Sequence, residues 1–274
     1  MENARFRLPA DKAFLNPDHT MGDEEGIYFS FMSDMDAIAN VVPPQLKPAM
    51  PIVSGYIVEI RKPAFAKPYR EAMLGVYVEY NGTVGMYPIA FLLEGEGTEM
   101  AMLPGREQFG LPKKSCGSEG CIRIERDGDT LHGYAERRGT RLMDVSIRLG
   151  KYNDETCGRV YFDPEPGKHT GGTSFYYTYA IEPDENGELV FSRMNLLVNE
   201  LEYNYESWLP GEASVKLESS VDDPWGELPV LENLGGALSC NTLEMRSVRI
   251  AEHPDPSDVM PYLMTTRYDR EALI

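Results

Sequence analysis

The sequence predicts an α+β protein, mostly antiparallel β-sheet that closes into a barrel or packs as two sheets, with few short helices. Three observations predict it. Asn81-Gly82 and Asp127-Gly128 each stand between apolar, β-prone runs, the pattern of two-residue hairpins. Residues 143–149 alternate Val145, Ile147 and Leu149 with Asp144, Ser146 and Arg148, as a half-buried strand does. Helix-like windows are short and scattered, whereas hairpins recur in series, which favours antiparallel sheet.

In chain order, residues 1–25 mix Pro, Asn and Asp and predict an N-terminal arm with little structure of its own. Residues 26–32 form the first aromatic and apolar run, a strand. Ser33 is the expected cap of a short helix over 34–42, with Asp36 in its first turn and Pro43 ending it. A strand is expected over 52–60, then hairpins of 74–80 with 83–93 and of 121–126 with 130–135. Residues 174–181 and 189–205 pair around Pro183-Asp184-Glu185-Asn186-Gly187. Further short helices are expected near 105–109 and 257–264. No internal repeat or linker interrupts 26–274, so one domain is the simplest organisation.

The chain has 274 residues and a formal charge of -18. That excess of acid argues against nucleic-acid binding, which is led by Lys and Arg, and an anionic substrate would need locally placed cations. No apolar run reaches the ~18 residues that span a bilayer, and residues 1–12 are charged rather than signal-like, so a cytoplasmic protein is expected. The cysteines at 116, 121, 157 and 240 lack zinc-like spacing and are expected to be reduced thiols. The four histidines make no metal motif, and no glycine-rich phosphate loop is present. Residues 200–232 carry nine acids and one lysine, which reads as a solvated face or an oligomer contact. Trp208 and Trp225 lie in this stretch beside prolines, where they are expected to cover a sheet edge or a neighbouring subunit.

The densest candidate for chemistry is Gly105-Arg106-Glu107-Gln108-Phe109-Gly110-Leu111-Pro112-Lys113-Lys114. It presents two adjacent lysines from a stiff Leu-Pro step. Like-charge repulsion or burial lowers a lysine pKa from its usual value of about 10.4, and a neutral lysine attacks carbonyl carbon to give a Schiff base. The plain alternative is a solvated Lys-Lys pair in a surface loop.

This decapeptide resembles the active-site segment of the acetoacetate decarboxylase superfamily. Asp34-Met35-Asp36-Ala37-Ile38 followed by Val41-Val42-Pro43-Pro44-Gln45-Leu46 resembles a second segment of that family, in the expected order. Residues 172–179 and Trp208-Leu209-Pro210-Gly211 resemble its second half more loosely. The resemblance covers roughly residues 24–245. It implies a β-barrel-centred α+β fold, no cofactor, a homo-oligomer, and a Schiff-base lysine acting on a small oxo acid or ketone. Carried over, Lys113 is the nucleophile and Lys114 its cationic neighbour, while Arg106 and Glu107 shape the loop. Glu71, ten residues before Asn81, is the pocket carboxylate for acid–base work, with pairing to Arg70 or Lys67 at the surface as its alternative. Gln108, Phe109 and Tyr87 are expected to line the pocket.

Two departures bear on the activity. The family's substrate-handling arginine corresponds to Glu24, and a second pocket glutamate corresponds to Tyr56. Arg5, Arg7 and Arg61 are the candidate replacements for the missing cation. These changes favour aldolase-dehydratase chemistry, or processing of another oxo acid, over acetoacetate decarboxylation proper. A non-catalytic small-molecule-binding member of the same fold is the alternative of a different class, and an interaction role for the acidic face is a third.

Overall fold

The computed structural model describes residues 18–272. The strands are β1 Met21–Met32, β2 Lys47–Pro63, β3 Tyr69–Tyr80, β4 Thr83–Glu94, β5 Lys113–Ser115, β6 Ile122–Asp127, β7 Thr130–Arg137, β8 Thr140–Leu149, β9 His169–Pro183, β10 Leu189–Leu217 and β11 Glu232–Glu252. They form one 11-stranded sheet with the order β11-β1-β2-β3-β4-β9-β10-β8-β7-β6, and β5 pairs with β4 off this path. β10 also pairs with β11, so β11, β1, β2, β3, β4, β9 and β10 close into a ring, and β8, β7 and β6 extend from it as a flap. The ring is not a clean barrel, because β4 and β9 meet at the single parallel pair Met86–Ser174.

The helices are α1 Met35–Val41, α2 Thr98–Phe109, α3 Thr156–Val160 and α4 Pro256–Arg267. Asn81 and Gly82 take φ of 50° and 82°, the left-handed pair that a tight hairpin between β3 and β4 requires.

Several expectations change. Residues 1–17 lie outside the described residues, but 21–25, expected in the arm, belong to β1, held between β2 and β11. Asp34, not Ser33, caps α1, accepting from the N–H groups of Asp36 and Ala37. β11 was hidden by its glycines and polar residues: Gly235 and Gly236 sit where a Cβ would strike Tyr152 and β1. Trp208 and Trp225 are buried within the chain itself, at 6% and 5% exposure. The acidic stretch is not simply solvated, since Asp223 within it is buried.

Neighbouring residues of a strand point to opposite faces, and here both faces are covered. Phe29, Ile57, Leu74 and Leu92 enter one core, while Tyr28, Tyr56, Met73 and Phe91 enter another. The register aligns Tyr28 with Tyr56, Tyr56 with Met73, Met73 with Phe91 and Phe91 with Lys113. Four strands thus bring one row of side chains to Lys113. No described helix is long and apolar enough to cross a membrane.

Candidate active site

Helix α2 and the short β5 position Lys113. Gly110 ends α2 at φ 68°, in the left-handed region, and a Cβ there would lie 1.9 Å from the Tyr177 carbonyl oxygen. The chain then turns through Leu111 and Pro112, whose carbonyl accepts the Phe91 N–H at 3.0 Å and fastens the segment to β4. Gly105 leaves room for the lysine stem, since a Cβ on it would lie 3.3 Å from Lys113 Cδ.

Lys113 is 4% exposed, and its Nζ donates to Glu71 Oε2 at 2.8 Å. The ammonium also lies 5.4 Å from the Phe91 ring centre and 5.8 Å from that of Tyr69. Glu71 is buried, and the Tyr56 hydroxyl donates to its other oxygen, Oε1, at 2.6 Å. Burial, followed by the nearby Glu71 charge, pushes the Tyr56 phenol well above its ordinary value, so it remains a proton donor. Beside this chain stands a second one. The Tyr28 hydroxyl donates to Glu24, and Asn241 Nδ2 donates to the Tyr28 oxygen at 3.0 Å. Burial raises the Glu24 carboxyl to about 7, opposed by the Tyr28 hydrogen bond and reinforced by the charge of Glu71.

Two cavities meet this wall. Lys113, Gln108, Phe109, Leu111, Met21 and His19 line a small pocket of about 80 Å³. Tyr28, Tyr56, Met73, Met86 and Tyr203 line a larger, mainly apolar cavity of about 270 Å³.

The other expected site residues separate into two groups. Glu71 meets Lys113 directly and Tyr56 meets it through Glu71, while Gln108 lines the small pocket with Lys113, its Oε1 buried and unpartnered among the described residues. The rest stand elsewhere. Lys114 turns to the opposite face of β5, where its Nζ meets the Asp222 carbonyl at 2.7 Å, Asp223 at 3.1 Å and Asp269 at 3.4 Å. Strand alternation causes this, and Lys114 is therefore no cationic neighbour of Lys113. Arg106 stacks on Tyr268 at 5.0 Å, and Glu107 is exposed. Tyr87 lines a separate cavity of about 380 Å³ beside Lys114, because it faces away from the Lys113 row. Arg61 is held at the surface by Glu25 and Glu59, and Arg5 and Arg7 lie outside the described residues.

Sequence reasoning missed Tyr28 and Asn241 and treated Glu24 only as a lost cation. Glu24 and Tyr28 are four apart on one strand and therefore share a face, which was the available signal. The cysteine expectation is also corrected. Gly117 and Gly120, at φ 81° and 86°, fold the loop so that Cys116 and Cys121 are joined in a disulfide. Their sulfurs and the Glu94 carboxylate lie within 4.8 Å of one another. The Glu94 oxygens, however, accept the Gly120 and Ile122 N–H groups at 2.6 Å each, and the bonded sulfurs are not thiolate ligands.

A family model described as acetoacetate decarboxylase matches residues 7–254. A "CLA biosynthesis isomerase" of Lactiplantibacillus plantarum is 36% identical over 254 residues, covering 92% of this chain and 89% of that protein. An acetoacetate decarboxylase of Burkholderia multivorans is 29% identical over 231 residues, covering 83% and 86% of the two chains. The crystal structure of acetoacetate decarboxylase from Legionella pneumophila superposes with a TM-score of 0.71 at 17% identity, covering 90% of this chain and 94% of that one, and so shares the fold.

Proposed function

This chain belongs to the acetoacetate decarboxylase family, and we propose that it is a cofactor-independent Schiff-base enzyme that shifts a proton, and with it a double bond, on an apolar carbonyl compound. The carrying observation is the buried 2.8 Å pair of Lys113 and Glu71. It sits in apolar surroundings where neither Glu71 nor Glu24 has an arginine partner among the described residues.

The chemistry is that of an iminium. The Lys113 ammonium passes a proton to Glu71, and the freed amine adds to the carbonyl carbon. Glu71 returns that proton to the carbinolamine oxygen, water leaves, and the iminium forms. Glu71, again a carboxylate, takes a proton from the carbon next to the iminium, and the electron pair spreads into a dienamine. A proton added at the far carbon gives the conjugated iminium, and water releases the conjugated ketone and the Lys113 amine. Tyr56 holds Glu71 by its other oxygen and steadies it through both steps.

Two further considerations support proton relocation over loss of carbon dioxide. A carboxylate on the substrate would meet the Glu71 carboxylate rather than a guanidinium, and like charges in a buried site repel. The 36% identical relative is named an isomerase, too. The second reading is a lyase: decarboxylation, or aldol addition with loss of water, through the same iminium and the same carboxylate. The relative named acetoacetate decarboxylase favours it.

Allyl methyl ketone, whose double bond is one carbon removed from conjugation, separates the readings when run beside acetoacetate. Conjugated enone from the first and no carbon dioxide from the second is the expected result, and Lys113→Ala abolishes it. Carbon dioxide from acetoacetate without isomerisation would move the assignment to the lyase reading.

A further inference from the structure

Glu24 is buried, titratable and absent from the reaction just described. It lies on β1 at 2% exposure, has no cationic partner among the described residues, and is hydrogen-bonded to Tyr28. Tyr28 and Tyr56 are register partners on β1 and β2, with ring centres 5.5 Å apart. Both line the 270 Å³ cavity. The site therefore holds two phenol–carboxylate pairs side by side, Tyr56 with Glu71 and Tyr28 with Glu24, and only the first reaches Lys113.

We propose that Tyr28 is a second catalytic acid, which protonates the dienamine at its far carbon, and that Glu24 is the positioning residue that aims and recharges it. This rests on the Schiff-base reading above. Hydrogen-bond counting gives the mechanism. A phenol has one proton to donate and two lone pairs that accept. When Glu24 is ionised, the Tyr28 proton is held on its carboxylate. When Glu24 is protonated, its O–H and the Asn241 amide together fill the Tyr28 lone pairs, and the phenolic proton turns into the cavity. The transfer then balances: Tyr28 gives its proton to carbon, takes the Glu24 proton along the existing hydrogen bond, and leaves Glu24 as a carboxylate. Solvent restores that proton between turnovers, and Glu71 releases to solvent the proton that it took.

Burial, helped by the charge of Glu71, holds the Glu24 proton against the opposing hydrogen bonds of Tyr28 and Asn241. The groups facing Glu24 are Tyr28 of β1, Tyr56 of β2, Tyr69 and Glu71 of β3, and Tyr203 and Tyr205 of β10, with the uncharged Asn241 of β11. None is a cation, and burial raises the Glu24 carboxyl to about 7. The donating form is thus present below about 7 and is lost above it.

The test measures kcat for allyl methyl ketone against pH in wild type, Glu24→Gln and Tyr28→Phe, with borohydride trapping on Lys113 run alongside. In wild type kcat is expected to fall as pH rises through about 7. Each variant is expected to lose that limb and about a hundredfold in kcat, while trapping on Lys113 persists. A variant that keeps both the limb and the rate overturns the relay, and so does wild-type trapping without isomerisation. Should Glu24→Gln fail to fold, Tyr28→Phe carries the same test, because it leaves the carboxyl in place. Loss of trapping in wild type is a separate outcome: it removes the lysine reading, and the relay with it.

Discussion

Lys113 and Lys114, adjacent in sequence, serve opposite faces of one short strand. The first donates to Glu71 at 2.8 Å and the second to Asp223 at 3.1 Å. Tyr69, Phe91 and Glu71, not a neighbouring ammonium, therefore surround the Lys113 amine. Lys114 belongs to an ionic cluster with Arg137, Asp223 and Asp269, in which Arg137 donates to both aspartates at 2.8–2.9 Å. The cluster joins the end of the chain to the β5 segment.

Lys114→Met is expected to leave the Lys113 adduct intact and to lower stability. Removing one member of a buried ion pair costs about 3–5 kcal/mol, and Arg137 remains to offset part of it. Denaturant unfolding beside ketone trapping checks both halves. A Lys114→Met protein that folds normally but forms no adduct would show that Lys114 acts on Lys113 after all.

Glu71→Gln keeps the size of the side chain and removes the base. Turnover of allyl methyl ketone is expected to fall by about 10²–10⁴. Tyr56→Phe, which removes one donor to a charged acceptor, is expected to cost about tenfold or more. Equal, small losses in both variants would contradict the assignment of Glu71 as the proton carrier.

The raised Glu24 carboxyl has a stability consequence of definite sign. Its value climbs from an ordinary 4.5 to about 7 on folding, so between these values the folded state holds a proton that the unfolded state has released. Stability contributed by that proton is fully present below about 4.5 and is lost as pH rises through about 7. At about 1.4 kcal/mol per unit, Glu24→Gln is expected to gain roughly 3 kcal/mol on wild type between the two limits. Thermal unfolding of both proteins from pH 4.5 to pH 8 measures the gap, and a constant gap would contradict the shift.

Gly110→Ala is expected to displace the lysine segment. The position combines a φ of 68° with a Cβ contact of 1.9 Å to Tyr177 backbone, so strain and collision add. A loss of several kcal/mol together with weaker trapping is the outcome to look for. Unchanged stability would mean that the α2–β5 turn yields to a side chain at this position.

Much of this was legible in the sequence, for identifiable reasons. The Asn81-Gly82 hairpin was readable because local turn chemistry suffices, and Lys113 with Glu71 was readable through motif order. The Lys114 error came from reading adjacency as proximity, although strand alternation alone separates the two ammonium groups. Tyr87 failed for the same reason, as a residue on the wrong face of β4. Glu24 with Tyr28 and Asn241 depended on β1 lying between β2 and β11, and the glycines and polar residues of β11 gave no strand signal. The Cys116–Cys121 bond depended on backbone angles at Gly117 and Gly120 that spacing does not disclose.

Borohydride trapping measures directly the iminium proposed on Lys113. Folded protein is reduced in the presence of allyl methyl ketone and, separately, acetoacetate and pyruvate, then digested and mapped by peptide mass spectrometry. A reduced adduct confined to Lys113, absent in Lys113→Ala and retained in Lys114→Met, is the expected result. No adduct with any of the three carbonyl compounds, or an adduct on Lys114 instead, would contradict it.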